Sequence, residues 1–319
     1  MRHRSVLRRS RRLLAAIGTV FAVLALTATG PAVASAPDDP LTMISNDGTI
    51  TRAVPLSAMT PGALSGFAGT GLIGTDGADH DADLAGTTTP VVGPYSVIGT
   101  DGRLRQNPTS GSVQSRSTVQ LTYTNSSGTS QFCSGWLFGP DTVITAGHCV
   151  YDYAKGTWAH TWGTLLVWPG RNGASNPTYG SCSVRSLHSV LGWTRDGDRG
   201  YDMGAMKLNC SVGNTTGWMG AWYTSANLVG TQVFVRGYPC DKEYGTQWWD
   251  DDVITSTTSE RLSYKVDTYY CQSGSPVYNS TTGGCLCVLA IHTNGGTTAN
   301  TGTRITQAKF ERIFAWRNL

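Results

Sequence analysis

Two short strings constrain this chain more than anything else in it, because each makes chemical sense only beside the other. TAGHC at 145–149 puts His148 at the end of an alternating apolar run (Val143, Ile144, Thr145, Ala146). QSGSPV at 272–277 sets Ser273 in a turn tight enough to present a hydroxyl. A serine alcohol is a poor nucleophile at neutral pH unless an imidazole takes its proton. A fold that uses both strings must therefore bring distant parts of the chain together. Asp202, in RGYDMGAMKL at 199–208, is the candidate third member. It precedes an alternating stretch (Met203, Ala205, Met206, Leu208), so its carboxylate is expected to turn inward, where an acid fixes the imidazole tautomer. Asp196 and Asp198 lie in RDGDRG, which reads as a solvated turn, and Asp152 is too close to His148 in sequence to be preferred.

Turn-rich segments separate short β-branched and aromatic runs, and only 14% of the residues are charged, as in an all-β protein. Strands are expected near 117–124, 132–138, 142–146, 164–167 and 203–208, and again near 231–236, 253–255, 262–266, 275–278 and 286–292. These divide into halves of about 97–212 and 213–319. A short C-terminal helix follows, with Thr306 as N-cap, Ile305 stapled to Phe310, and Phe310, Ile313 and Phe314 on one face.

Charge is uneven. Residues 1–36 carry six Arg and no acid; 37–95 carry one Arg and seven Asp; 96–319 carry 17 Lys plus Arg against 14 Asp plus Glu. The first block has the cationic start, apolar middle and Ala34-Ser35-Ala36 site of a signal peptide, so the mature protein is expected to be secreted, extracellular and free of any membrane. The second block lacks Cys, is poor in large apolar residues and has no convincing period; a linker is the plain reading and a prosegment over 37–95 the sharper one. No basic patch favours a nucleic-acid partner.

The motifs SVIGTDGR, CSGWLFGPDTVITAGHCVY, GYDMGAMKL, GYP, DTYYCQSGSPVY, AIHTNGG and TGTRIT, spread over 96–319, resemble the glutamyl endopeptidases, the V8-like branch of the chymotrypsin-fold serine peptidases. The order His148, Asp202, Ser273 agrees. The resemblance implies two six-stranded antiparallel barrels, His148 and Asp202 from the first and Ser273 from the second, acting on protein and peptide substrates through an acyl-enzyme. It implies an oxyanion hole from the amides of Cys271 and Ser273, although Cys271 stands where glycine is usual. His292 and Thr268 would bind a P1 glutamate, with Asp tolerated less. Thr293 would support Asp202, Gly295 would pair with substrate backbone, and the α-amine freed near Val97 would join the pocket. Cleavage would fall after Tyr95 or Ser96, releasing a monomer from its own prosegment; Gln272, where trypsin-like enzymes carry Asp, excludes their carboxylate switch. Neither Tyr95 nor Ser96 is Glu, so a different protease is expected to cut there. No cofactor and no metal are expected.

Eight cysteines in an exported chain read as four disulfides. The resemblance places one at Cys133–Cys149. Cys182 and Cys210 flank the Asp202 segment, and Cys240 and Cys271 can join the loop after GYP to the nucleophile turn. That leaves Cys285 and Cys287, and the last two pairings can be exchanged. Two rival functions stay open. Asp267, six residues before Ser273, stands where trypsin-like pockets select Arg or Lys. A catalytically impaired paralogue that binds peptides is the other.

Overall fold

The alternating runs close into two barrels. The computed structural model describes residues 39–51, 66–67, 69, 96–109, 111–124, 127–158, 164–279 and 287–319. The expected signal peptide lies outside the described residues, and among the described residues no helix is long and apolar enough to cross a membrane.

The first barrel uses β1 (Thr118–Thr124), β2 (Ser130–Leu137), β3 (Thr142–Thr145), β4 (Leu166–Pro169), β5 (Cys182–Val190) and β6 (Gly204–Leu208). The order is β4-β1-β2-β3-β6-β5, and β4 pairs back onto β5 to close it. Val119, Leu121 and Tyr123 of β1 alternate into the core, where they join Trp136, Val143, Ile144 and Met206. The second barrel uses β7 (Gln232–Gly237), β8 (Gln247–Thr257), β9 (Arg261–Tyr264), β10 (Pro276–Asn279), β11 (Cys287–Asn294) and β12 (Asn300–Arg304). Its order is β10-β7-β8-β9-β12-β11, closed by β10 on β11. Val233, Val235, Ile254, Leu262, Tyr264 and Val277 fill it. Every pairing within the barrels is antiparallel.

Two strands escape the hydrophobic pattern. β5 is interrupted by Ser183, Arg185, Ser186 and His188, and β12 reads Asn-Thr-Gly-Thr-Arg. Pairing and the neighbouring core bury them rather than their own apolar content. β8 likewise runs beyond the expected 253–255, a span that three consecutive Asp (250–252) within it hide from the sequence pattern.

The C-terminal helix, Gln307–Arg317, begins as expected: the Thr306 hydroxyl accepts a hydrogen bond from the Lys309 amide, 3.3 Å. Lys309, Phe310, Ile313 and Trp316 are its buried residues, while Phe314 is only half-buried and stacks on Phe310. Disulfides join Cys133 to Cys149, Cys182 to Cys210 and Cys240 to Cys271, so the exchangeable pairing resolves in favour of Cys240–Cys271. Cys287 is also disulfide-bonded, and Cys285 lies outside the described residues.

Part of 37–95 is not a loose linker. Met43–Ser45 and Ile50–Thr51 form a hairpin that pairs with the stretch of β5 beyond its contact with β4, Met43 opposite Val190 and Ser45 opposite His188. Met43 is fully buried, the Leu41 carbonyl accepts from Arg312 Nε at 3.2 Å, and Asp39 pairs with the Arg312 guanidinium at 3.5 Å. Two such short strands carry too few residues to show a period in sequence.

Candidate active site

β3 ends at Thr145, and a single 3-10 turn, Gly147–Cys149, then swings His148 off the barrel. Asp202 follows a similar turn, Arg199–Tyr201, just ahead of β6. The two lock at both ends. Asp202 Oδ1 accepts the His148 backbone amide at 2.9 Å, and Oδ2 lies 2.8 Å from His148 Nδ1. Asp202 is buried, whereas the His148 side chain is one-third (33%) exposed. Burial alone would push the imidazole pKa down, but the Asp202 charge and hydrogen bond outweigh it and raise the pKa above its ordinary value. Trp193 packs edge-on against the imidazole, ring centroids 6.2 Å apart.

The nucleophile turn is built across both barrels. Ser134 on β2 donates its amide to the Ser273 carbonyl (2.8 Å) and its hydroxyl to the Cys271 carbonyl (3.0 Å), while the Tyr238 amide donates to that same hydroxyl (2.9 Å). Gly274 has φ +88°, and a Cβ there would lie 2.1 Å from the Ser134 carbonyl and the Thr145 hydroxyl; only glycine fits. Cys271 is the one non-glycine described residue with positive φ, +76°. That backbone costs an ordinary residue roughly 1–2 kcal/mol. The Cys240 bridge ties the residue down in it. Neither the Cys271 nor the Ser273 amide donates a hydrogen bond among the described residues.

Ser273 and His148 line one cleft of about 470 Å³, together with Ser96, Trp193, Arg199, Asp202, Tyr269, Tyr270 and His292–Gly295. His292 is buried in its wall. Its Nδ1 lies 2.7 Å from the Tyr264 hydroxyl, and burial, then the His148 charge, push its pKa down to about 3. Thr268 is fully buried, does not line the cleft, and among the described residues its hydroxyl has no hydrogen-bond partner.

The cleft is lined by Ser96 rather than its neighbour Val97; the Ser96 carbonyl accepts from the Thr268 amide (3.1 Å) and Asn300 Nδ2 (2.7 Å). Thr293 lines the cleft, but its hydroxyl donates to the Thr301 carbonyl at 3.4 Å. The hydroxyl that reaches Asp202 is that of Thr303, donating to its backbone carbonyl at 3.1 Å. Tyr264, Thr303 and Arg199 carry no sequence signal that would have singled them out.

Among the described residues, one group of three possible metal ligands draws together: Cys133, His148 and Cys149. Both sulfurs are spent in a disulfide and Nδ1 is held by Asp202, which leaves one imidazole nitrogen and no donor set for a metal.

The trypsin family model matches residues 101–316. The chain is 42% identical to a glutamyl endopeptidase of Bacillus licheniformis over 255 residues, 77% of each chain. It is also 43% identical to a Bacillus subtilis protein named extracellular metalloprotease, covering 89% of this chain and 90% of that one. A solved Glu endopeptidase structure superposes with a TM-score of 0.60 at 26% identity, covering 70% of this chain and all of that one. With two barrels and a serine, an imidazole and a buried carboxylate at their junction, the chain belongs to the glutamyl endopeptidase branch of the chymotrypsin-fold serine peptidases and is a serine endopeptidase.

Proposed function

We propose that this is a secreted endopeptidase that cuts after glutamate, and after aspartate less readily, using His148, Asp202 and Ser273 as its triad. Asp202 accepts a hydrogen bond from His148 Nδ1–H, which leaves the lone pair on Nε2 to take the Ser273 proton. Ser273 Oγ attacks the scissile carbonyl as His148 takes its proton. The oxyanion falls on the amides of Cys271 and Ser273. Collapse expels the amine, protonated by His148, and leaves an acyl-enzyme that water then hydrolyses by the same route.

One observation carries the choice of glutamate. A buried donor stands in the cleft wall at His292, while Thr268, whose hydroxyl is buried and unpaired among the described residues, is not one of the residues that line the cleft. The rival carboxylate is occupied elsewhere, since Asp267 Oδ1 accepts the Ile98 amide (2.6 Å) and Oδ2 the Gly102 amide (2.9 Å). A pocket lined by buried donors rejects a side chain that cannot pair with them far more sharply than an apolar one does.

Residues 37–95 serve as a prosegment whose removal places the new α-amine at the cleft; Ser96, already docked there, supports this. The free enzyme acts as a monomer on protein and peptide substrates, with neither nucleic acid nor membrane as partner. Matched peptides with P1 Glu, Gln and Arg test the reading: Glu cleaved in strong preference, with His292→Ala losing most of that cleavage yet still labelling Ser273 with an organophosphorus reagent. Cleavage of the Arg peptide alone would overturn it.

A further inference from the structure

We propose that Tyr264 is a positioning residue for specificity: its hydroxyl donates to His292 Nδ1 and so fixes on Nε2 the proton offered to an acidic P1 side chain. The inference rests on the pocket role of His292 argued above.

The geometry is set by three neighbouring strands. Tyr264 ends β9, His292 stands on β11, and β12 runs between them with Gly302 opposite His292. A Cβ on Gly302 would come within 3.2 Å of the Tyr264 oxygen and 2.6 Å of the Ile291 carbonyl, so a bare backbone leaves the gap through which phenol meets imidazole. The two rings lie 6.0 Å apart, tilted, and both side chains are buried.

A phenol and an imidazole can share a proton in either sense, and their surroundings decide. Burial raises the phenol far above its usual pKa, so Tyr264 keeps its proton. Among the described residues His292 Nδ1 is the one hydrogen-bond partner of that hydroxyl, and a buried O–H left unpaired is costly. His292 itself is neutral, its pKa pressed down to about 3 by burial and then by the His148 charge. A neutral imidazole has a single N–H. With Nδ1 accepting, that N–H is on Nε2. Tyr264 touches no substrate; it decides which nitrogen does.

The test is ¹⁵N NMR of histidine-labelled mature enzyme, with the His292 signals assigned by their loss in His292→Gln. At neutral pH the wild type should show a bare Nδ1 and a protonated Nε2, and Tyr264→Phe should show averaging between tautomers. In the same variant kcat/KM for P1 Glu should fall about tenfold, chiefly through KM, the worth of one hydrogen bond. P1 Gln cleavage should change far less, and organophosphorus labelling of Ser273 should persist. A wild type carrying the proton on Nδ1, or a Tyr264→Phe enzyme with an unchanged Glu-to-Gln ratio, overturns the proposal. An Nε2-protonated wild type that cuts Glu and Gln peptides alike instead overturns the pocket reading, and with it the part of Tyr264 in specificity.

Discussion

The Asp267 carboxylate holds the Ile98 amide at 2.6 Å, and its second oxygen holds Gly102. An acid that could have sat at the base of a basic-specific pocket instead clasps the chain just downstream of the proposed processing site. Asp267→Asn should therefore leave P1 choice unchanged, because the carboxylate faces no substrate. It should weaken the fold by ~1–2 kcal/mol, since one charge-assisted bond becomes a neutral or unmade one. Urea melts of the mature enzyme check the second outcome, and matched Glu and Arg peptides the first.

The Ser96 carbonyl is bound by the Thr268 amide and by Asn300 Nδ2, so the structure favours a cut after Tyr95 over one after Ser96. Intact-mass analysis of the secreted enzyme should give Ser96 as the first residue. A form engineered to begin at Val97 should lose P1 Glu activity, and a form retaining 37–95 should be nearly inactive.

Cys271 sits at φ +76°, held by its bridge to Cys240. Cys240→Ser removes the tether but keeps a side chain where glycine is at ease, so the turn should relax and kcat should fall by about tenfold or more as one oxyanion donor drifts. Adding Cys271→Gly should restore most of the loss. An inactive double variant that is still folded would show that the bridge does more than hold the backbone.

The acid limb of activity should follow His148. Its pKa is raised in the folded enzyme, and only the neutral imidazole accepts the Ser273 proton, so activity is lost as pH falls through that raised value. The midpoint in kcat/KM should lie above the ~6.5 of a free imidazole. Asp202→Asn should pull the midpoint down and cost roughly 10³–10⁴ in kcat by releasing the wrong tautomer.

Much of this site is legible without coordinates, because catalysis by an imidazole and a serine demands particular residues in tight turns. His148, Asp202 and Ser273 lie together on a single cleft with the expected ends of β3 and β6 supplying the first two. What sequence hides is whatever depends on a neighbour from another strand. β12 has no hydrophobic signature because its burial is imposed by β9 and β11. That the Thr303 hydroxyl meets the Asp202 backbone carbonyl while that of Thr293 meets Thr301 is likewise set by strand register. The docked hairpin at 43–51 is too short to announce itself.

Ser134 carries a consequence for how the enzyme fails. It belongs to the first barrel, yet it grips the carbonyls on both sides of the nucleophile turn and an amide of the second. The backbone around Ser273 is thus held from the opposite half of the molecule. Opening the seam between the halves should silence the enzyme before either half melts, and an isolated second barrel should be inert even if it folds. Heat or denaturant should then extinguish turnover at or ahead of the loss of structure, leaving no loosened form that still digests its neighbours.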